Sequence, residues 1–517
     1  EISACLVGSE MCIRDRNRTM SLSHQIKLGA LMSYVAIAVN IVSGLIYTPW
    51  MINSIGRENF GLYTLALSVI TLFVFDFGLS NAVTRFIAKY LAEGQQEKVN
   101  NCIGLVYRLY IIIDIVLFAI LIGVFFFIPQ IYQELTPEEI EKFKVIYSMA
   151  AMYAVVSFPF IPVNGVLTAY ECFIQLKVCD VLHKLIIVGA MTLCLLMGYG
   201  LYALVMVNAI SGVLTILFKV LCIKRYTPLN ISWKYFNSTE LKDIADYSGW
   251  VTVIALAQRC IFNLAPSILG ALSGSTAIAI LGIAMTLEGY TYTFSNALNG
   301  MFLPKVSRVL AEEKGDIMPL MVKMGRIQIY MVGLIVLGVI CLGRHFILLW
   351  VGGGFKESYL CAVLIIIPSL FHLPQMIGND AIFAANKVKQ LSIIYIIMAV
   401  LNLLGAMVLS PLMGATGICF SVFIAYMVRT IGMDFIFYKE MNLDVLHFFK
   451  ETFVRLSIPL IICLIAGIVL NYLILISGWL GFFVKGVLFC MCYALVIYFL
   501  AMNDYEKSLI LAPIKKL

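Results

Sequence analysis

The sequence predicts an all-α polytopic membrane protein with about fourteen transmembrane helices. Three observations carry that prediction. Of 517 residues, 62% are hydrophobic and only 13% charged, and the mean hydropathy is +0.97, where an ordinary soluble chain carries about 25% charged residues. The apolar residues come in runs near twenty long rather than at amphipathic spacing, which suits the ~30 Å hydrocarbon layer. Charge falls between the runs, in short loops too small to fold as soluble catalytic domains.

The runs place helices near 28–51, 60–83, 105–128, 146–168, 182–198 and 201–221, then near 247–270, 276–300, 328–350, 359–382, 391–411, 414–437, 452–474 and 479–502. An even number puts both termini on one side. Lys and Arg number 29 on that side and five on the other, with Arg259 and Lys485 inside spans. The positive-inside rule therefore expects both termini in the cytoplasm, and the net charge of +7 reads as topology rather than a nucleic-acid footprint. The loop 129–145 should hold a helix start, with Thr136 as cap, Pro137 at the first helical position and Glu139 completing a capping box.

Residues 1–19 contain EISACLVGSEMCIRDR, which looks like adaptor read-through fused to a protein that starts at Met20. The expected units are that leader at 1–19, an N-lobe of six spans at 20–225, a linker at 226–246, a C-lobe of six spans at 247–440, and helices thirteen and fourteen with a tail at 441–517. A weak repeat supports two lobes. Lys89-Tyr90-Leu91-Ala92-Glu93 follows the second span and Arg308-Val309-Leu310-Ala311-Glu312 the eighth, 219 residues later. Prolines inside spans one (Pro49), four (Pro159, Pro162), seven (Pro266) and ten (Pro368, Pro374) agree with a six-helix unit, and Pro459 in span thirteen falls outside it.

Absences narrow the chemistry. The fourteen cysteines form no CxxC pair and the five histidines are scattered, so neither a metal site nor a cofactor is expected. No Gly-Lys dipeptide exists for a Walker loop, and no DxD exists for a metal-dependent glycosyltransferase. What remains are ionisable groups at membrane depth, each costing about 2.5–3.5 kcal/mol at a helix centre. Arg259 in the seventh span and Glu288 in the eighth sit at one depth on antiparallel neighbours, which predicts an ion pair, structural or functional. Asp76 and Asp114 share a depth nearer the cytoplasm. They could hold a coupling cation or proton, or Arg108 could bridge one of them. Lys485 is expected to snorkel toward the outer surface.

The sequence resembles the O-antigen and polysaccharide flippase family, within the multidrug, oligosaccharidyl-lipid and polysaccharide flippase superfamily. Four stretches carry the likeness. The first runs from Tyr47-Thr48-Pro49 to Ile55-Gly56-Arg57-Glu58-Asn59-Phe60-Gly61-Leu62-Tyr63, and the second from Asp76-Phe77-Gly78-Leu79-Ser80-Asn81-Ala82 to Arg85-Phe86-Ile87-Ala88. The others are Pro304-Lys305-Val306-Ser307-Arg308 and, more weakly, Leu349-Trp350-Val351-Gly352. The resemblance implies a V-shaped bundle of two six-helix lobes. It also implies a non-enzymatic flippase in a bacterial inner membrane that moves a polyprenyl-pyrophosphate-linked oligosaccharide (an O-antigen, capsular or exopolysaccharide repeat unit) to the outer leaflet. Partners would be the bilayer and that lipid, with H+ or Na+ as candidate coupling ions and a polymerase and chain-length proteins alongside. Arg259, then Arg85 and Arg308, are the expected pyrophosphate contacts; Glu288, Asp76 and Asp114 are the ion-pair or coupling candidates. One departure is Asn263, where family members often carry an acid. Two alternatives are weighed with this reading: a cation-coupled drug extruder, which needs an acidic aromatic pocket, and a membrane polysaccharide polymerase, which needs a large external loop.

Overall fold

A computed structural model describes residues 22–233, 235, 237–299, 316–385, 387–474 and 476–508, all helix or connection with no strand among them. The expected leader and the stretch 300–315, with Arg308, lie outside the described residues. In chain order the helices are α1 (Leu22–Ile55), α2 (two pieces, Arg57–Phe73 and Leu79–Ala92), α3 (Gln96–Ile131), α4 (Pro137–Ala169), α5 (Phe173–Leu196), α6 (Leu201–Tyr226), α7 (Ser238–Phe262 and Leu264–Leu272) and α8 (Gly274–Asn299). They continue with α9 (Met318–Trp350), α10 (Ser358–Phe383), α11 (388–413), α12 (415–441), α13 (Val445–Leu473) and α14 (Gly478–Ala501).

Eleven described stretches are long and apolar enough to cross a membrane. One of them, Val388–Met441, is two helices that turn at Gly414, where φ is 56°. With α1 and α2 standing where the first two spans were expected, the described helices are compatible with fourteen. Side chains such as Ile112, Phe126, Leu196, Ile465 and Leu480 point outward, an apolar exterior suited to lipid.

Local sequence explains the helix ends and breaks. Thr136 accepts from the Glu139 N–H at 3.3 Å while the Glu139 carboxylate accepts from the Thr136 N–H at 2.8 Å, the expected capping box with Pro137 behind it. α4 is interrupted by a tight turn at Phe158–Phe160, beside Pro159 and Pro162, and α10 by another at Leu373–Gln375, beside Pro374. Proline removes a helical donor and crowds the preceding turn, so both helices break at their prolines. α1, by contrast, carries Pro49 inside one continuous helix.

Helices α1 to α6 pack as one lobe, α1 on α5, α5 on α6 and α4 on both α2 and α6. In the other lobe α7 packs on α11 and α12, and α8 on α10. The lobes meet mainly where α2 runs along α8. Gly61 makes that approach possible, because a Cβ there would collide with the Ser275 carbonyl oxygen. α13 and α14 add a second apolar core on α9, built from Ile329, Leu337, Cys463, Phe489 and Tyr493.

A buried ion pair fastens this appendage. Arg326 of α9 donates to Glu506 at 2.6 and 3.0 Å, to the Glu451 and Ala501 carbonyls at 2.9 and 2.7 Å, and to the Tyr330 hydroxyl at 2.8 Å. Lys485 does not snorkel as expected. It is only 6% exposed and donates to the Asn471 side chain at 3.0 Å, since α13 lies close enough to offer an amide within reach.

Removing one partner of a buried, fully bonded pair strands the other charge. Glu506→Ala should therefore destabilise the protein by about 3–5 kcal/mol, read as a lower unfolding temperature in detergent, and Arg326→Met with Glu506→Leu should recover most of it. The pair also predicts acid sensitivity. Burial raises the Glu506 carboxyl, but hydrogen bonds from Arg326 and from the Asn503 N–H outweigh it and hold the group below its ordinary value. A depressed folded value contributes stability above the unfolded value of roughly pH 4.3. That contribution should fade as pH falls through the lower folded value, and the Glu506→Gln variant should lack this component of the acid transition.

Candidate substrate cavity

The site begins with the break in α2, which the sequence reading took as one span over 60–83. The helix runs to Phe73, the Val74 N–H still bonds the Ile70 carbonyl at 2.8 Å, and the chain then leaves helical geometry until Leu79. Gly78 adopts φ 70°, left-handed backbone that glycine enters without steric cost. Asp76 restarts the helix, accepting from the Ser80 N–H at 3.1 Å as a capping side chain does. The same oxygen accepts from the Tyr110 hydroxyl at 3.0 Å.

A break within hydrocarbon frees main-chain carbonyls that must find partners inside the protein. Two of them find α7, on the opposite lobe. Arg259 donates to the Thr71 carbonyl and lies over the Phe75 ring, 5.4 Å from its centre. Thr252 donates to the Phe77 carbonyl at 2.6 Å. One turn beyond Arg259, α7 itself breaks at Asn263, whose amide donates to the Thr71 hydroxyl.

Beyond that contact, away from the end where α1 begins, lies a cavity of about 500 Å³. α1, α2, α5, α6, α8 and Asn263 line it. Its polar lining is almost wholly neutral: Ser43, Tyr63, Thr64, Asn208, Thr286 and Tyr290 are among the hydroxyl and amide groups, and Lys184 is its one charged side chain among the described residues. The Lys184 ammonium is half-buried, and no hydrogen bond or ion pair engages it there. The Tyr47 hydroxyl is buried without a partner. Tyr290 reaches α1 over Gly44, where a Cβ would collide with its hydroxyl. Toward the far end the lobes meet again, through the Trp350 indole N–H to the Leu45 carbonyl at 2.6 Å and Arg57 over the Phe355 ring at 5.2 Å. A larger depression of about 780 Å³ surrounds Arg326 and Glu506, but those charges are already spent on each other.

The structure corrects two expected groupings. Arg259 and Glu288 do lie at one depth, each roughly 21 Å from the turn at Ser273, yet they form no ion pair. Depth follows from counting residues, but azimuth does not. Arg259 turns toward the freed Thr71 carbonyl, while Glu288 lies near Tyr292 and Tyr426. Asp76 pairs with buried Tyr110 rather than with Asp114 or Arg108, because a buried phenol requires an acceptor. One oxygen of Asp114 is buried without a partner. Arg85 is exposed on the second piece of α2. Among the described residues no group of three or more His, Cys, Asp or Glu could hold a metal.

Three interior cations were missed: Arg326, already described as buried in α9, Lys184 and Arg429. Counting residues placed Lys184 at the edge of a span starting near 182 and assigned it to a loop. α5 in fact starts at Phe173, which puts Lys184 about 16 Å along the helix. Arg429, likewise counted with a loop, is 3% exposed and donates to the Tyr395 hydroxyl at 2.8 Å.

These features define a polytopic helical membrane fold with two lobes around a membrane-depth cavity. Among solved structures the chain is similar to the lipid II flippase MurJ in an inward closed conformation, with a TM-score of 0.73 and 13% identity over 93% of this chain and 99% of that one. It is also similar to an inward-facing multidrug resistance MATE family transporter (0.64, 15%, 81% and 98%) and to a MOP superfamily transporter from Pyrococcus furiosus (0.59, 15%, 79% and 94%). None of the curated proteins matches the chain. The family described as polysaccharide biosynthesis protein matches residues 29–311, more than half of the sequence. The chain belongs to that family.

The Arg259 contact with α2 predicts a measurable closure. In a background without native cysteines, a cysteine at Ser68 should react slowly with a membrane-impermeant thiol reagent added on the side of the termini. Arg259→Gln should raise that rate several-fold; an unchanged rate would mean the contact does not bound the cavity there.

Proposed function

We propose that this protein flips a polyprenyl-pyrophosphate-linked oligosaccharide from the cytoplasmic to the outer leaflet of a bacterial cytoplasmic membrane, by alternating access and without chemical catalysis, with both termini in the cytoplasm. One observation carries the reading: a membrane-depth cavity lined by neutral hydroxyls and amides around a single unengaged ammonium, Lys184. A glycan crossing hydrocarbon loses its hydrogen bonds to water, and each unreplaced one is costly. Side chains such as Ser43, Asn208 and Tyr63 replace them. A pyrophosphate needs a cation, because an unpaired charge in a low-dielectric interior is costlier still.

Lys184 is the cation inside the cavity, and Arg259 stands one turn below its floor, where a fork-shaped guanidinium suits a phosphate. An entering pyrophosphate would offer Arg259 a charged acceptor in place of the neutral Thr71 carbonyl. That exchange links cargo entry to release of α7 from α2. Arg85 follows at the cytoplasmic end of α2, and Arg308, outside the described residues, holds the matching position in the sequence repeat. If H+ is the coupling ion, Asp114 is the carboxylate suited to carry it, since Asp76 is held by Tyr110 and Ser80. Na+ would need more ligands than Asp114 alone offers.

The similarity to MATE transporters favours a second reading, cation-coupled drug extrusion. The cavity opposes it, because an ammonium repels the cationic drugs that an acidic pocket would attract. Efflux of a cationic dye that depends on this protein would decide for that reading.

Lys184→Gln should abolish surface polysaccharide at normal protein level, while Lys184→Arg should retain most of it. Wild-type polysaccharide in the Lys184→Gln strain would remove this lysine from the mechanism. Arg259→Ala is expected to give the same loss.

A further inference from the structure

α2 faces the cavity with Phe60, Thr64, Leu67, Ser68 and Thr71, a stripe along one side of a helix. Three residues before Phe60 the same stripe ends at Arg57, the first residue of α2. Arg57 and Thr71 lie about 21 Å apart along the helix axis, at opposite ends of the cavity. Each end carries a cation held across the lobes by a neutral group. Arg259 of α7 is held by the Thr71 carbonyl of α2, and in reverse Arg57 of α2 is held by the Phe355 ring of the other lobe, 5.2 Å from its centre.

Arg57 is the less committed of the two. Its Nε is buried without a partner, and no hydrogen bond or ion pair engages the guanidinium among the described residues. Glu357 is near enough to act on its charge without pairing with it. A guanidinium carries five N–H donors in a fixed fork, and the face of a ring leaves that fork open. Two-point, charge-assisted hydrogen bonds to a phosphate are stronger than a cation–π contact. A pyrophosphate that reaches this end of the cavity therefore displaces the ring.

Resting on the flippase reading above, we infer that Arg57 is the exit-side pyrophosphate ligand. It latches the outer end of the cavity through Phe355, then gives up that ring to take the pyrophosphate from Lys184 as the cavity opens on the side opposite the termini. The headgroup meets a cation at every stage, Arg259 at entry, Lys184 within and Arg57 at exit, so its charge is never left alone in a low-dielectric interior. Departure of the cargo returns Arg57 to Phe355 and closes that end.

The test separates the latch from the ligand. Phe355→Leu removes the ring, fills most of its volume and keeps the guanidinium. In membrane vesicles and a background without native cysteines, it should raise several-fold the reactivity of a cysteine at Thr48, a cavity residue of α1, toward an impermeant thiol reagent added opposite the termini. Binding is then measured on the full-length protein in lipid nanodiscs, with a polyprenyl pyrophosphate carrying one N-acetylhexosamine and with the polyprenyl alcohol as control. Adding Arg57→Gln to Phe355→Leu should weaken the pyrophosphate lipid at least about tenfold, about 1.4 kcal/mol, and leave the alcohol unchanged. Arg57→Lys, which keeps the charge without the fork, should lose less. Equal pyrophosphate affinity with and without Arg57, an equal loss for the alcohol, or unchanged thiol reactivity in Phe355→Leu would each overturn the inference and leave the flippase reading standing. Failure of both the wild type and Phe355→Leu to bind the pyrophosphate lipid would overturn the flippase reading, and the inference with it.

Discussion

Hydrocarbon accepts no unpaired main-chain group, and this constraint organises the structure around the break in α2. Once Val74 to Gly78 leave helical geometry, the carbonyls of Thr71 and Phe77 need donors that α2 can no longer supply. α7 of the facing lobe supplies both, through Arg259 and Thr252. The lobes are thus joined by bonds to main chain as well as by side-chain packing. Such bonds can be surrendered only if another partner arrives for each group, which suits a contact that opens in response to cargo.

The interior charges divide by how fully they are occupied. Arg326 and Glu506 saturate one another and their neighbours, and Lys485 is satisfied by Asn471. They fix α13 and α14 on α9 and have little capacity left for a ligand. Lys184 is their opposite, a cation at membrane depth in a polar cavity with no protein partner. Membrane depth alone therefore does not mark function. The distinguishing property is a polar group that the protein leaves unsatisfied where a ligand can reach it.

The neutral lining and the single ammonium belong together physically. Hydroxyls that bond back onto their own helices cost little to bury, because their protons are already placed. They leave an ordered set of acceptors whose directions the helices fix. A cavity built this way is polar with a single charge, and it sits in the bundle without an ion pair such as the one that fastens Arg326 to Glu506.

Some of this was legible in the residues alone. The helical membrane class followed from runs of twenty apolar residues, since bilayer thickness sets that length whatever the fold. The capping box at Thr136 and Glu139 was legible because both partners lie within one turn, whereas the prolines marked a repeat without telling which helices break: α4 and α10 break beside Pro159 and Pro374 while α1 runs on through Pro49. The common depth of Arg259 and Glu288 came from counting. Their azimuths did not, so the expected pair failed. The loss of α2 as a single span was not visible either, because Asp76 reads as a buried acid until Ser80 and Tyr110 are seen to use it. Lys184 passed for a loop residue because an apolar run gives only the hydrophobic part of a longer helix. The sequence by itself determined which segments cross the membrane, since that depends on local transfer energy. Only the tertiary structure decided which polar groups are spent on the protein and which remain for a ligand, because satisfaction depends on partners brought from distant helices at particular rotations.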